Sequence, residues 1–142
     1  IYFYFFSIMI KHKKILCVED NPLNCKILSF YLRKMDLQVV ISSTGEEAVE
    51  IYRKEFFDFI LMDLMLPGIS GYEATNQIRK IEKDFYSGQT TFIIALTANT
   101  MDGDREKCIK NGMDEYMSKP FEISKLLDIF NSLKMKREVG ND

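Results

Sequence analysis

The sequence predicts an α/β domain in which a five-stranded parallel sheet is covered by helices on both faces. Short apolar runs rich in β-branched or aromatic residues alternate with stretches whose apolar residues recur at helical spacing. The central run from Phe56 to Met62 is almost wholly apolar, as a strand buried on both faces must be. Each run ends in polar residues followed by turn or helix-cap signals. Alternation of this kind implies crossover helices and hence parallel strands.

The first strand is Lys14 to Val18, ending in Glu19-Asp20. Asn21 then suits a helix cap and Pro22 the first helical position. Leu23, Ile27, Phe30 and Tyr31 follow at i, i+4, i+7 and i+8, which predicts the buried stripe of the first helix. Gln38 to Ser42 is β-branched and predicts the second strand. Ser43-Thr-Gly-Glu46 fits a capping box for a helix running to about Lys54. The third strand ends in Asp63, and Pro67 and Gly68 turn the chain toward Ser70-Gly-Tyr-Glu73, a second capping-box pattern. Ala74, Ile78 and Ile81 mark the buried side of the third helix.

Thr91 to Leu96 predicts a fourth strand ending in Thr97-Ala98. Asp102 to Lys110 predicts a short charged helix stopped by Asn111-Gly112. Asp114 to Ser118 is a weaker fifth strand ending in Lys119-Pro120, and Ile123, Leu126, Leu127, Phe130 and Leu133 set the last helix.

The length of 142 residues supports one domain with a proper core. We expect that domain over 14–135, an apolar and basic extension over 1–13, and a patternless charged tail over 136–142. A formal net charge of −2 signals no nucleic-acid partner. Cys17, Cys25 and Cys108 match neither a redox pair nor a zinc spacing and read as reduced thiols, the first two in packing roles. His12 lies in a basic run and reads as a surface residue. Ile1 to Ile10 is too short to span a bilayer and lacks the features of a signal peptide. We expect the natural domain to begin near Met9, with Ile1 to Ile8 as upstream or fragment-derived sequence. The end of a membrane helix, stopped by Lys11, Lys13 and Lys14 in a longer protein, is the alternative.

In a parallel sheet the strand ends share one rim, so Glu19, Asp20, Asp63, Thr97 and Lys119 are expected at one site. Neighbouring carboxylates resist joint ionisation unless a cation neutralises them. A hard divalent ion, Mg²⁺ foremost with Mn²⁺ as an alternative, suits oxygen ligands of this kind. Thr97 and Lys119 are then placed for an anionic oxygen group such as phosphate. A carboxylate beside such an ion and a lysine is suited to act as nucleophile in phosphoryl transfer, forming an aspartyl phosphate.

These residues carry a family resemblance. ILCVEDNPLN, ILMDLMLPGISG, IIALTAN and DEYMSKPF, in that order from about Lys14 to Leu133, resemble the receiver domain of two-component response regulators. The wording of the NPLN and ALTAN segments is most similar to receivers of hybrid histidine kinases. The resemblance implies a flavodoxin-like three-layer fold with strand order 2-1-3-4-5, and Asp63 as phosphoacceptor. It implies Mg²⁺ held by Asp20, Asp63 and the Met65 backbone carbonyl, with Glu19 assisting. Thr97 and the Ala98 N–H would bind the phosphoryl group, Lys119 would bridge to it across a cis peptide to Pro120, and Tyr116 would be the aromatic switch. Glu19 and Leu66 depart mildly from the family pattern, where Asp and Met are common.

The resemblance further implies a signalling acceptor rather than an enzyme. The phosphodonor would be a histidine kinase or histidine phosphotransfer protein, and phosphorylation would switch a face formed by the fourth helix, fifth strand and last helix for output to an effector. Direct nucleic-acid contact and membrane insertion of the domain are not expected. The location would be cytoplasmic, tethered if the domain is the carboxyl-terminal receiver of a hybrid kinase. A stand-alone single-domain regulator is the alternative. A small-molecule phosphatase with an aspartate nucleophile fits less well, because Met65 stands where a second Asp is wanted. Flavin binding fits less well still, because VEDNPLN has no hydroxyl- and glycine-rich phosphate loop.

Overall fold

The computed structural model describes residues 12–98 and 104–140, with side chains through Leu133. In chain order the elements are β1 (Lys14–Val18), α1 (Pro22–Lys34), β2 (Gln38–Ser42), α2 (Gly45–Lys54) and β3 (Phe59–Asp63). They continue with α3 (Gly71–Phe85), β4 (Phe92–Thr97), α4 (Asp104–Lys110), β5 (Glu115–Ser118) and α5 (Ile123–Gly140). The strands form one parallel sheet in the order β2-β1-β3-β4-β5, as expected.

The strands alternate their side chains between two cores, which makes the three layers. Leu16, Val18, Ile60, Met62, Ile93 and Ala95 point to one face and meet Ala48, Val49 and Tyr52 of α2, Ala74, Ile78 and Ile81 of α3, and Cys108 of α4. Ile15, Cys17, Phe59, Leu61, Ile94, Leu96 and Met117 point to the other and meet Leu28 and Leu32 of α1 and Leu126 and Phe130 of α5. Every residue of β3 is buried, as its unbroken apolar run requires.

Local capping follows the sequence closely, with one shift. Asn21 caps α1 through Leu23 N and Asn24 N, with Pro22 inside the first turn, and Ser70 caps α3 through Glu73 N. At α2 the cap is Thr44, accepting from Glu47 N at 3.1 Å, one residue later than the Ser43–Glu46 pairing expected. That displacement frees the Glu46 carboxylate for another partner.

The buried stripe of α1 is a larger correction. Leu23, Ile27, Phe30 and Tyr31, expected to face the core, are 65%, 40%, 54% and 38% exposed, whereas Leu28 and Leu32 are buried. The helix is apolar around much of its circumference, and the two stripes differ by a rotation of about 100°, one residue's turn. The sheet selects the stripe that continues through Met35, which is also buried.

Lesser differences lie at ends. β4 runs Phe92–Thr97, and β5 begins at Glu115. Helix α5 continues to Gly140, through most of the charged stretch read as patternless. Lys, Arg and Glu are good helix formers and need no apolar stripe to extend a helix into solvent. The expectations for residues 1–11 and for the start of the fourth helix at Asp102 fall outside the described residues. Among the described residues no helix is long and apolar enough to cross a membrane.

Candidate functional site at the carboxyl rim of the sheet

The sheet order places the ends of β1, β3, β4 and β5 side by side at the crevice where the order reverses, the usual ligand position in open α/β sheets. Asp63 closes β3 at 2% exposure, and Glu19 follows β1 at 1%. Asp20, next to it, is exposed. Carboxylate oxygens of Glu19, Asp20 and Asp63 lie within 4.8 Å of one another. Lys119, after β5, donates from Nζ to Asp63 Oδ2 at 2.8 Å, and its Nζ lies 3.1 Å from Glu19 Oε2.

Backbone bonds fix this arrangement. Lys119 N donates to Thr97 O at 2.8 Å, Leu64 N to Leu96 O at 3.0 Å and Glu19 N to Ser42 O at 2.9 Å. Met65 N donates to Asp63 Oδ1 at 3.0 Å, so the second carboxylate oxygen is also held. Glu19 Oε1 accepts from Asn21 N at 3.2 Å and, more weakly, from Asn24 Nδ2 at 3.4 Å. Gly71 belongs here for its lack of a side chain, since a Cβ would overlap the Asp63 carbonyl oxygen. The Lys119-Pro120 bond is cis.

Thr97 ends β4 with its side chain buried, and Ala98 follows it at the exposed rim. Tyr116 is half-buried on β5 and packs against the core shared by α2, α3 and α4. The Met65 side chain projects into solvent at 79% exposure. Cys25 donates its thiol toward Glu19 O at 3.2 Å, so it packs against the site's backbone rather than only within α1.

The electrostatics favour a cation. One ammonium faces a group of three carboxylates, leaving two uncompensated negative charges when all are ionised. Glu19 Oε2 is fully buried and makes no well-aligned hydrogen bond, although the ammonium is close. Burial pushes the Asp63 carboxyl above its ordinary value, against the Lys119 ammonium and the Met65 N–H, which hold it down; Glu19 adds to the rise. Burial acts to lower Lys119, but hydrogen bonds and charges from Asp63 and Glu19 outweigh it and keep the ammonium protonated. An all-oxygen donor set with this charge deficit fits a hard divalent ion.

One participant escaped the sequence reading. The Glu46 carboxylate on α2 accepts from Ile69 N at 2.8 Å, in the loop that leaves Asp63. Its position inside a capping-box pattern masked it, because the same acid at the first turn has a purely local explanation.

The fold is thus an open parallel α/β domain with a buried aspartate, companion acids and a lysine at the switch point, where such sheets bind their ligands. Residues 15–131 match the response regulator receiver domain, and the chain belongs to that family. It is 37% identical over 125 residues to hybrid signal transduction histidine kinase I of Dictyostelium discoideum, a match covering 84% of this chain and 7% of the relative. Histidine kinase B of the same organism is 39% identical over 124 residues, covering 82% and 6%. The chain thus spans less than a tenth of the length of these relatives.

Solved structures agree. The receiver domain of a sensor histidine kinase from Pseudomonas aeruginosa, with magnesium coordinated in its active-site cleft, superposes with a TM-score of 0.74 at 40% identity, covering 85% of this chain and 96% of that one. A chain from the complex of the Saccharomyces cerevisiae histidine phosphotransfer protein Ypd1 with the Ssk1 receiver domain gives a TM-score of 0.78 at 35% identity, covering 84% and 87%.

Proposed function

We propose that this domain is a phosphorelay acceptor in which Asp63 takes a phosphoryl group from a partner's phosphohistidine. The observation that carries the reading is the Asp63 carboxylate, buried at a strand end, 2.8 Å from the Lys119 ammonium and grouped with Glu19 and Asp20. Glu19, Asp20, Asp63 and the Met65 carbonyl would hold Mg²⁺, or Mn²⁺ in its place. Bound there, the ion supplies charge neutralisation for the phosphoryl oxygens.

The chain's own residues do the rest. An Asp63 oxygen forms the new P–O bond as the P–N bond breaks, and the electron pair stays on the donor imidazole. No general base is required, because the carboxylate is already ionised at neutral pH. Lys119 stabilises charge on the transferring group, and Thr97 with the Ala98 N–H binds it on the β4 side. Engagement of Thr97 draws Tyr116 inward and shifts the population of α4, β5 and α5 conformations that an effector reads. The domain is a signalling acceptor more than a turnover enzyme. The test is incubation with acetyl phosphate and Mg²⁺: a stoichiometric, alkali-labile acyl phosphate supports the reading, and steady turnover of phosphate esters overturns it.

The kinship with hybrid kinases supports placement as a receiver of such a kinase, on its cytoplasmic side, with a stand-alone regulator as the alternative. We place the domain at residues 14–135, close to the matched range.

The exposed stripe of α1 supports a protein donor. Leu23, Ile27, Phe30 and Tyr31 form an apolar face, and Ile27 also lines a small cleft with Glu19, Lys119, Pro120 and Phe121 beside the acceptor. Lys26, Arg33 and Lys34 lie along the same helix, and α1 contains no acid, so an apolar donor surface with an acidic rim fits it. Ile27→Glu should slow transfer from a phosphorylated donor protein by about tenfold or more, the scale of an interface anchor. Its rate with acetyl phosphate should stay unchanged; equal losses with both donors would argue against a docking role.

Met65 sets a further expectation. An apolar side chain two residues after the acceptor offers no hydrogen bond to an attacking water. The phosphorylated wild type should therefore outlive phosphorylated Met65→Asn, measured as loss of radiolabel after the donor is removed. Equal or faster decay of the wild type would contradict this.

A further inference from the structure

The loop from Leu64 to Ser70 carries the Met65 carbonyl, yet it is braced from outside its own strand and helix. Three features of this brace converge on one point. The Glu46 carboxylate accepts from Ile69 N at 2.8 Å. Gly45, at the start of α2, lets that helix approach Ile69 so closely that a Cβ would lie 2.8 Å from Ile69 Cγ1. Gly68 has φ +80°, and a Cβ there would overlap the Glu46 carboxylate. Two glycines thus clear the space through which an acid on α2 reaches the loop.

We propose that Glu46 is a positioning residue that holds the β3–α3 loop in the conformation presenting the Met65 carbonyl for metal binding. The inference rests on the reading of the rim as a Mg²⁺ site. The start of the loop is held by Asp63, through Met65 N, and its two ends are tied by Gly71 N donating to Leu64 O at 3.3 Å. Between those anchors the Glu46 bond ties the loop to α2, an element that packs extensively on α3. Without it the loop keeps its ends but gains freedom where the carbonyl must point, and ordering that segment opposes binding. Donation from the Ile69 N–H also holds the Glu46 carboxyl below its ordinary value, so the brace stays ionised at physiological pH.

The test is Mg²⁺ titration of the full chain by calorimetry, with amide exchange at Ile69 followed in metal-free protein. Glu46→Ala should weaken Mg²⁺ binding about three- to tenfold, less than a partner bonded directly to a ligand, with faster exchange at Ile69 and nearly unchanged melting. Glu46→Gln keeps an acceptor oxygen and should restore most of the affinity. Glu46→Ala binding within about twofold of wild type would overturn the proposal, twofold being well short of the loss expected for a residue that supports a ligand. So would Glu46→Gln as weak as Glu46→Ala, because the effect would then be one of charge rather than of the bond. If wild type itself binds no Mg²⁺, or Asp63→Asn binds it equally well, the failure lies in the reading of the rim as a metal site, and the proposal falls with it.

Discussion

An Asp63→Asn chain is expected to accept no phosphoryl group from acetyl phosphate or from a phosphorylated donor protein. The amide keeps the shape of the carboxylate and accepts a hydrogen bond from Lys119, so the fold should be undisturbed while the nucleophile is gone. Intact-mass spectrometry after incubation with donor and Mg²⁺ reads the result directly. A variant that still gains the adduct would move the acceptor elsewhere.

The same substitution carries a signed prediction for stability. Asp63's folded-state value is raised, with burial as the leading cause. Such a group favours folding below its ordinary, unfolded value and loses that contribution as pH rises through the folded one. At neutral pH the ionised carboxylate is therefore a net burden on the metal-free fold. Asp63→Asn should be more stable than wild type there, and the difference should close as pH falls below the aspartate range. Urea unfolding at pH 7 and pH 3 without metal measures it. Mg²⁺ should reverse the order, because it stabilises only the form that binds it.

Lys119→Met is expected to have the second large effect, on both rate and fold. Removing one preorganised positive group from a transferring phosphoryl should slow phosphorylation by about 10²–10³-fold. It also leaves Asp63 and Glu19, 3% and 1% exposed at their side chains, without their shared countercharge. Breaking a buried pair by removing one partner costs about 3 kcal/mol or more. The deficit should shrink at low pH, where Asp63 protonates, and shrink again with saturating Mg²⁺ at neutral pH. Wild-type stability in metal-free Lys119→Met would show that the ammonium is not what balances these acids.

Much of this site is legible in the sequence, because its residues fall at the ends of strands. Asp63 after an unbroken apolar run, Glu19-Asp20 before a capped helix, Thr97 and Lys119 after their own runs are local patterns. Parallel topology alone then gathers them on one rim. Asn21 with Pro22, and Ser70 with Glu73, were readable for the same reason: a cap is made within four residues of itself.

What the chain could not reveal depended on docking between elements. Helix α1 carries apolar residues on two stripes, and nothing within it says which one the sheet will cover; the rotation is settled by contacts with β-strand residues far away in sequence. Glu46 had a sufficient local explanation as a capping-box acid until Thr44 took the cap and Ile69, 23 residues on, took the carboxylate. The sequence by itself determined the elements, their order and the residues at their ends, since periodicity and capping are short-range physics. Only the tertiary structure decided which face of α1 meets solvent, which acid braces the loop, and that one ammonium stands between Asp63 and Glu19. Those outcomes depend on how surfaces fit, and close packing makes that fit a property of the whole molecule.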